Sequence, residues 1–277
     1  KDTAAAYGLF SEGGAVMERK TYPRLNEQVY WDKLSNGLTI AVVPRPGFTR
    51  KLAYFVTDYG AIHQEFAVDG KTVRAPGGVA HYLEHKLFDM PDYDVTERFS
   101  MLGAIPNAFT SYDITAYYFS CTENFEKSLR LLLEFVSTPY FTEETVAKEQ
   151  GIIGQEIDMN KDNPDTQIFE MLMENMYENH PIRVPILGRR DTIAKITPEN
   201  LTACHKAFYR PDNMLLCVVG DVDPAEVAAI AENRLEAGIR VEDFKRFECF
   251  GYVPVQRVFK GEKSRLHMTQ QNLIRGK

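Results

Sequence analysis

His81, Glu84 and His85 stand together in the stretch "GGVAHYLEHKLF", residues 77–88. Histidine is scarce, six in 277 residues, so two of them within five positions call for a chemical explanation. On an α-helix, positions i, i+3 and i+4 share one face. Two imidazoles on that face can grip a single ion, with Zn–N bonds of about 2.0–2.1 Å. Glu84 lies between them, where a carboxylate can take a proton from water activated by the ion. The order H-x-x-E-H is the inverted form of the zinc-peptidase helix. Five letters also fit a helix carrying surface histidines and an i,i+4 charge partner, and on spacing alone both explanations stand.

A catalytic zinc needs a third protein ligand and one open position. The best source is "TEETVAKEQGIIGQEIDMNKD", residues 142–162. There Glu149 and Glu156 lie seven positions apart, two helical turns, and so face the same way. Ile152 and Ile153 between them predict a partly apolar, inward-packed face. A carboxylate facing inward needs a charge partner, which an ion would supply. A pair of solvated helix glutamates is the competing explanation.

These groups need elements to hold them. "NGLTIAVVPRP" (residues 36–46) and "RKLAYFVTDYGA" (50–61) read as strands, and their short Pro-Gly link predicts a hairpin. Residues 66–78 read as a loop broken by "DGK" and "APGG", with 65–74 a flexible-looking insertion. Gly77 and Gly78 then open a helix running to about Asp89 and stopped by Pro91. A short helix follows over 95–102. "NAFTSYDITAYYFSC" (107–121) reads as strand with a bend at Tyr112-Asp113. Apolar positions 125, 129, 132, 133 and 136 form a helical stripe. A long helix is N-capped by Thr142, and Pro164 and Pro198 open two more. "NMLLCVVGDVDP" (213–224) is a buried strand ended by Gly220, followed by a surface helix. Strands early and late with blocks of helices between them make the chain α+β.

Composition bounds the partners. Net charge is −7, with both signs dispersed, which argues against nucleic acid or an anionic membrane as main partner. No run of about 18 apolar residues is present, so no transmembrane helix is expected. "KDTAAAYGLFSEGG" lacks an apolar signal core, which points to the cytoplasm. Residues 1–30 are expected to be an N-terminal leader or extension, with Met17 a candidate start. Cys121, Cys204, Cys217 and Cys249 show no CxxC spacing and fit buried free thiols better than a thiolate site. His63, His180, His205 and His267 have no partner at ligand spacing, and Tyr117 and Tyr118 read as packing residues.

Taken together the motifs resemble the pitrilysin (insulinase) family of zinc metallopeptidases, most of all its bacterial YmfH-type members. There, H-x-x-E-H is followed some seventy residues later by a helix with two glutamates spaced by seven. "NAFTSYDITAYYF" and "FYRPDNMLLCVVGDVD" resemble two further family segments that do not involve the metal, and order and spacing agree over about residues 34–235. The resemblance implies an antiparallel-rich sheet with consecutive helices packed on one face, the zinc-bearing half-molecule of a metallohydrolase like mitochondrial processing peptidase. It implies one Zn²⁺ per chain held by His81, His85 and Glu156, with Glu84 as general base and Glu149 as accessory carboxylate. It also implies that Asn107, Ala108 and, more weakly, Phe109 lie on an edge strand that binds an extended peptide as an added strand.

Family members pair the zinc-bearing half with a second half that supplies an Arg and a Tyr. No such pair can be placed here, because "FYRP" (208–211) lies in the wrong half. The expectation is a zinc-bearing peptidase domain at 31–235, then a connecting segment and the start of a truncated second half at 236–277. A second half-domain or partner subunit, in a homo- or hetero-dimer, would complete it. The alternative is a non-catalytic peptide-binding or partner subunit, although such subunits typically lose the zinc motif. A structural zinc domain would need four Cys or His ligands.

Overall fold

In a computed structural model the chain is described over residues 17–68 and 70–232. Four strands come first: β1 (Glu18–Tyr22), β2 (Glu27–Lys33), β3 (Thr39–Pro44) and β4 (Lys51–Thr57). A small pair, β5 (Glu65–Val68) and β6 (Lys71–Arg74), leads into helices α1 (Val79–Lys86) and α2 (Val95–Met101). Strands β7 (Ala104–Thr110) and β8 (Thr115–Cys121) precede α3 (Phe125–Ser137), α4 (Glu143–Lys161), α5 (Pro164–Met176), α6 (Arg190–Ile193) and α7 (Pro198–Phe208). Strand β9 (Met214–Gly220) and helix α8 (Pro224–Glu232) close the described chain. No helix among the described residues is long and apolar enough to cross a membrane.

Seven strands form one sheet in the order β1-β2-β3-β9-β4-β8-β7, and only the β3–β9 pair is parallel. This is the expected α+β, antiparallel-rich architecture. The row Ile40, Leu216, Phe55, Tyr117 runs across the sheet in register and is fully buried against the helices. Its neighbours along each strand point to the opposite face, where Cys217, Tyr54 and Tyr118 are only half-buried. The expected stripe of α3 also packs inward, with Leu129, Leu132, Leu133 and Val136 in the core.

Two expectations are corrected. The link at Pro46-Gly47 does not close a hairpin, because β9 inserts between β3 and β4. The reason lies in β9 itself: "MLLCVVG" is apolar at almost every position. Such a strand reaches its lowest free energy at the sheet centre, with a partner on each edge. The predicted loop and flexible-looking insertion is the β5–β6 hairpin instead, turned at Gly70 with φ +71°. Phe66 anchors it, 3% exposed and edge-on to Phe208 at 4.8 Å.

Other findings refine the picture. Residues 107–121 bend so sharply that they form the β7–β8 hairpin, and this leaves β7 at the sheet edge. Residues 18–30, assigned above to an extension, supply β1 and most of β2: β1 pairs with β2, and β2 in turn pairs with β3 from Tyr30 onward. Thr142 caps α4 as expected, accepting from the Thr145 backbone N–H. Cys121 and Cys204 are buried free thiols, and Cys217 is a half-buried one. Cys249, His267 and the segment 236–277 lie outside the described residues.

Helix α1 begins where the Gly77-Gly78 pair crosses the backbone at Gly188. A Cβ on Gly78 (φ +93°) would meet the Leu187 carbonyl at 2.6 Å, and one on Gly188 (φ +73°) would collide with the Gly77 carbonyl. Both positions combine left-handed backbone with no room, so only glycine fits. Gly188→Ala is expected to lower the unfolding free energy by at least about 1–2 kcal/mol, or several degrees in Tm, in thermal and denaturant melts. An unchanged melting curve would contradict this packing.

His205, on α7, bonds through Nε2 to the Val136 carbonyl at 2.9 Å and stacks on Tyr209 at 4.8 Å. Burial pushes its pKa down to about 4, against a smaller opposing pull from the Val136 bond. The folded state therefore binds this proton less readily than the unfolded chain. The stability it confers is intact above pH ~6.5 and is lost as pH falls toward about 4. The stability difference between the wild type and His205→Gln should shrink by about 3 kcal/mol between pH 7 and pH 4 in denaturant titrations. A difference that does not vary with pH would exclude the effect.

Candidate metal centre

Helix α1 is buried on almost every side. Val79, Ala80, Tyr82 and Leu83 join the core, and His81 and Glu84 are only 7% and 8% exposed. A helix of surface histidines is therefore excluded. Helix α4 lies against it and buries Val146, Ile153 and Ile157, an inward stripe at helical spacing. Ile152 is 47% exposed and takes no part in that stripe, so the inward face is narrower than the sequence predicts.

Two polar contacts clasp α1 to α4. The Tyr82 hydroxyl donates to the Val146 carbonyl. One turn further along both helices, His85 Nδ1 meets Glu149 Oε1 at 2.9 Å. With this register set, Glu156, two turns beyond Glu149, is carried to the other side of the histidines. Its Oε2 lies 3.6 Å from His81 Nε2 and 3.5 Å from His85 Nε2.

Glu149 and Glu156 thus do different things. Glu149 holds the far nitrogen of the His85 ring. Glu156 joins His81 and His85 in a group whose ligand atoms all lie within 4.8 Å of one another. A tetrahedral zinc centre with bonds of about 2.0–2.2 Å has edges of roughly 3.3–3.6 Å, so the two Glu156 separations match such an edge. The donor set, two imidazoles and one carboxylate, suits zinc and leaves a fourth position open.

The electrostatics agree. Burial, then the neighbouring His85, pushes the pKa of His81 down to about 3, so this ring is neutral and able to ligate. Burial acts on His85 in the same direction, but the hydrogen bond and charge of Glu149, with Glu84 and Glu156 behind them, outweigh it and raise its pKa. When neutral His85 donates its Nδ1–H to Glu149, the proton stays on Nδ1 and Nε2 keeps its lone pair toward Glu156. Burial raises the Glu84 carboxyl, while a hydrogen bond from Thr110 and the charge of His85 pull it back.

Asn107, Ala108 and Phe109 lie on β7, whose outer edge has no strand partner among the described residues. Asn107 and Phe109 point away from α1, with Phe109 42% exposed and 6.4 Å from the Tyr118 ring. Ala108 packs inward over Tyr117. Thr110, two positions on and therefore on the same face as Ala108, donates to Glu84 Oε2 at 2.6 Å. Thr110 lies inside the strand motif "NAFTSYDITAYYF" quoted above, but no role was assigned to it there; strand alternation could have pointed to one. The fully buried Lys86, paired with Asp89 at 2.6 Å, also went unnoticed, because a lysine beside two histidines reads as surface. His63 and His180 take backbone contacts, with Gly60 and Ile182, and stand apart from the centre.

A buried H-x-x-E-H helix clasped to a long helix that returns a glutamate, over an antiparallel-rich sheet with one open edge, is the arrangement of metallopeptidases built on the inverted zinc helix. Comparison with known proteins agrees. The family model "Insulinase (Peptidase family M16)" matches residues 74–190, and "Peptidase M16 inactive domain" matches 195–272. The chain belongs to the insulinase family, peptidase family M16. The Bacillus subtilis protein named "Uncharacterized zinc protease YmfH" is 50% identical over 216 residues, 77% of this chain and 50% of that one. A crystal structure of an M16-like peptidase from Alicyclobacillus acidocaldarius is 41% identical with TM-score 0.72, over 75% of this chain and 49% of that one. A protease from Helicobacter pylori is 25% identical with TM-score 0.68, over 79% and 52%. The chain spans about half the length of the relatives it matches.

Proposed function

We propose that the chain is the zinc-bearing half of a metalloendopeptidase that hydrolyses extended peptides. The observation that carries this is the convergence of His81, His85 and Glu156, from two helices, on a space one ion can fill. His81 and His85 would hold zinc through Nε2, and Glu156 through Oε2. Zinc supplies Lewis acidity there, polarising a peptide carbonyl and making water acidic enough to lose a proton near neutral pH.

The chain's own residues then divide the work. Glu84 lies on the metal face of α1 without joining the ligand group, so it is available as general base and returns the proton to the leaving amine. Its burial raises its proton affinity, which suits that exchange. Glu149 orients His85 from behind. The open edge of β7 would receive the peptide backbone as an added strand beside Asn107 and Ala108, with Phe109 exposed for a side-chain contact. A second half or partner subunit would cover the site and supply further substrate contacts. On this view the peptidase domain expected at residues 31–235 also takes in the strands that begin at Glu18.

Glu84→Gln should bind zinc like the wild type while losing at least about 100-fold in peptide cleavage, measured with the chain joined to a family second half. Equal cleavage by both proteins would remove Glu84 as base. In metal analysis, Glu156→Ala should lower zinc occupancy far more than Glu149→Ala, whose loss should be nearer 10–100-fold in affinity. Equal occupancies in these two variants would reverse or abolish the ligand assignment.

A further inference from the structure

Glu84 is the last group on α1 that a catalytic role requires, and a single helical side chain has several rotamers. As a base it must hold one. Its Oε2 accepts from Thr110 Oγ1 at 2.6 Å, a short contact in the range of a hydrogen bond to a charged oxygen. Thr110 is well suited to fix it. A β-branched side chain is stiff at χ1. Its backbone is paired with Thr115 of β8, so the hydroxyl is anchored in the sheet rather than on the helix. Thr110 also belongs to β7, the strand with the open edge.

We propose that Thr110 is a positioning residue for Glu84: its hydroxyl engages Oε2, leaves Oε1 to exchange the proton, and ties the base to the strand that would seat the peptide. This rests on the assignment of Glu84 as base. It goes further in making the sheet, not the metal helix, the reference frame for proton transfer. Residue 108 is two steps from residue 110, about 7 Å along the strand, so base and peptide would be registered by one short piece of backbone. Thr110 faces α1 and Glu84, so its loss should leave peptide binding on the outer edge intact.

The test compares Thr110→Val, which keeps the shape and loses the donor, with Thr110→Ser, which keeps the donor. Thr110→Val should retain wild-type zinc content and chelator resistance. It should lose about tenfold or more in kcat with KM within about twofold, and Thr110→Ser should recover most of the loss. A crystal structure of Thr110→Val should show the Glu84 carboxylate rotated from its wild-type place. Wild-type kcat in Thr110→Val, with Glu84→Gln inactive, overturns the role of Thr110 alone. Loss of zinc, a defect confined to KM, no rescue by serine, or an unmoved Glu84 also overturns it. An active Glu84→Gln instead overturns the base assignment beneath it.

Discussion

The structure depends on the register between α1 and α4. Helix α1 carries two of the three prospective ligands and the prospective base, and α4 carries the third ligand. The two hydrogen bonds between them, Tyr82 to Val146 and His85 to Glu149, sit one turn apart and act as a two-point clasp. A slip of α4 by one residue would rotate Glu156 by about 100° around its axis, out of reach of both imidazoles. The buried apolar stripe Val146, Ile153, Ile157 turns α4 inward but would tolerate some sliding. The polar clasp has no such tolerance, since a buried donor or acceptor left without its partner costs roughly 1–3 kcal/mol.

The price of this arrangement is a helix that violates the ordinary rule for buried segments. Eight residues of α1 include two histidines, a glutamate and a lysine, and all but His85 are buried. Each charge has an identified answer: Asp89 for Lys86, Thr110 for Glu84, Glu149 and Glu156 for His85. His81 stays neutral. A site that gathers polar groups in a core is unstable unless its partners arrive together, and here they come from α4, β7 and the turn after α1. The fold is therefore organised around the site as much as around its hydrophobic core.

The boundary between the two family matches, near residues 190–195, does not coincide with a boundary in the fold. Strand β9 lies in the second matched stretch, yet it is central in the sheet, hydrogen-bonded on both edges to strands from the first 57 residues. Helix α7 packs on the same core, through Leu201, Cys204 and Phe208. A protein cut at residue 190 would lose its central strand and leave β3 and β4 unpaired along one edge each. The folding unit needs the chain through β9.

Much was legible in one dimension. The i, i+3, i+4 spacing placed His81, Glu84 and His85 on one face, since helical geometry alone dictates that. The heptad spacing of Glu149 and Glu156 put both on one side of α4 for the same reason. Caps, proline starts and the apolar stripe of α3 were local signals, obeyed locally. What sequence could not decide was everything set by partners distant along the chain. Which of the two glutamates faces both imidazoles at once depends on the α1–α4 register. That β9 parts β3 from β4 depends on competition for strand edges, and a short Pro-Gly link cannot report it. That Phe66 makes a hairpin of a predicted loop depends on Phe208, well over a hundred residues away. That Lys86 is buried, and that Thr110 reaches Glu84, follow from how the sheet presents its faces to α1. Spacing fixes which side chains point the same way, but only packing fixes what they point at.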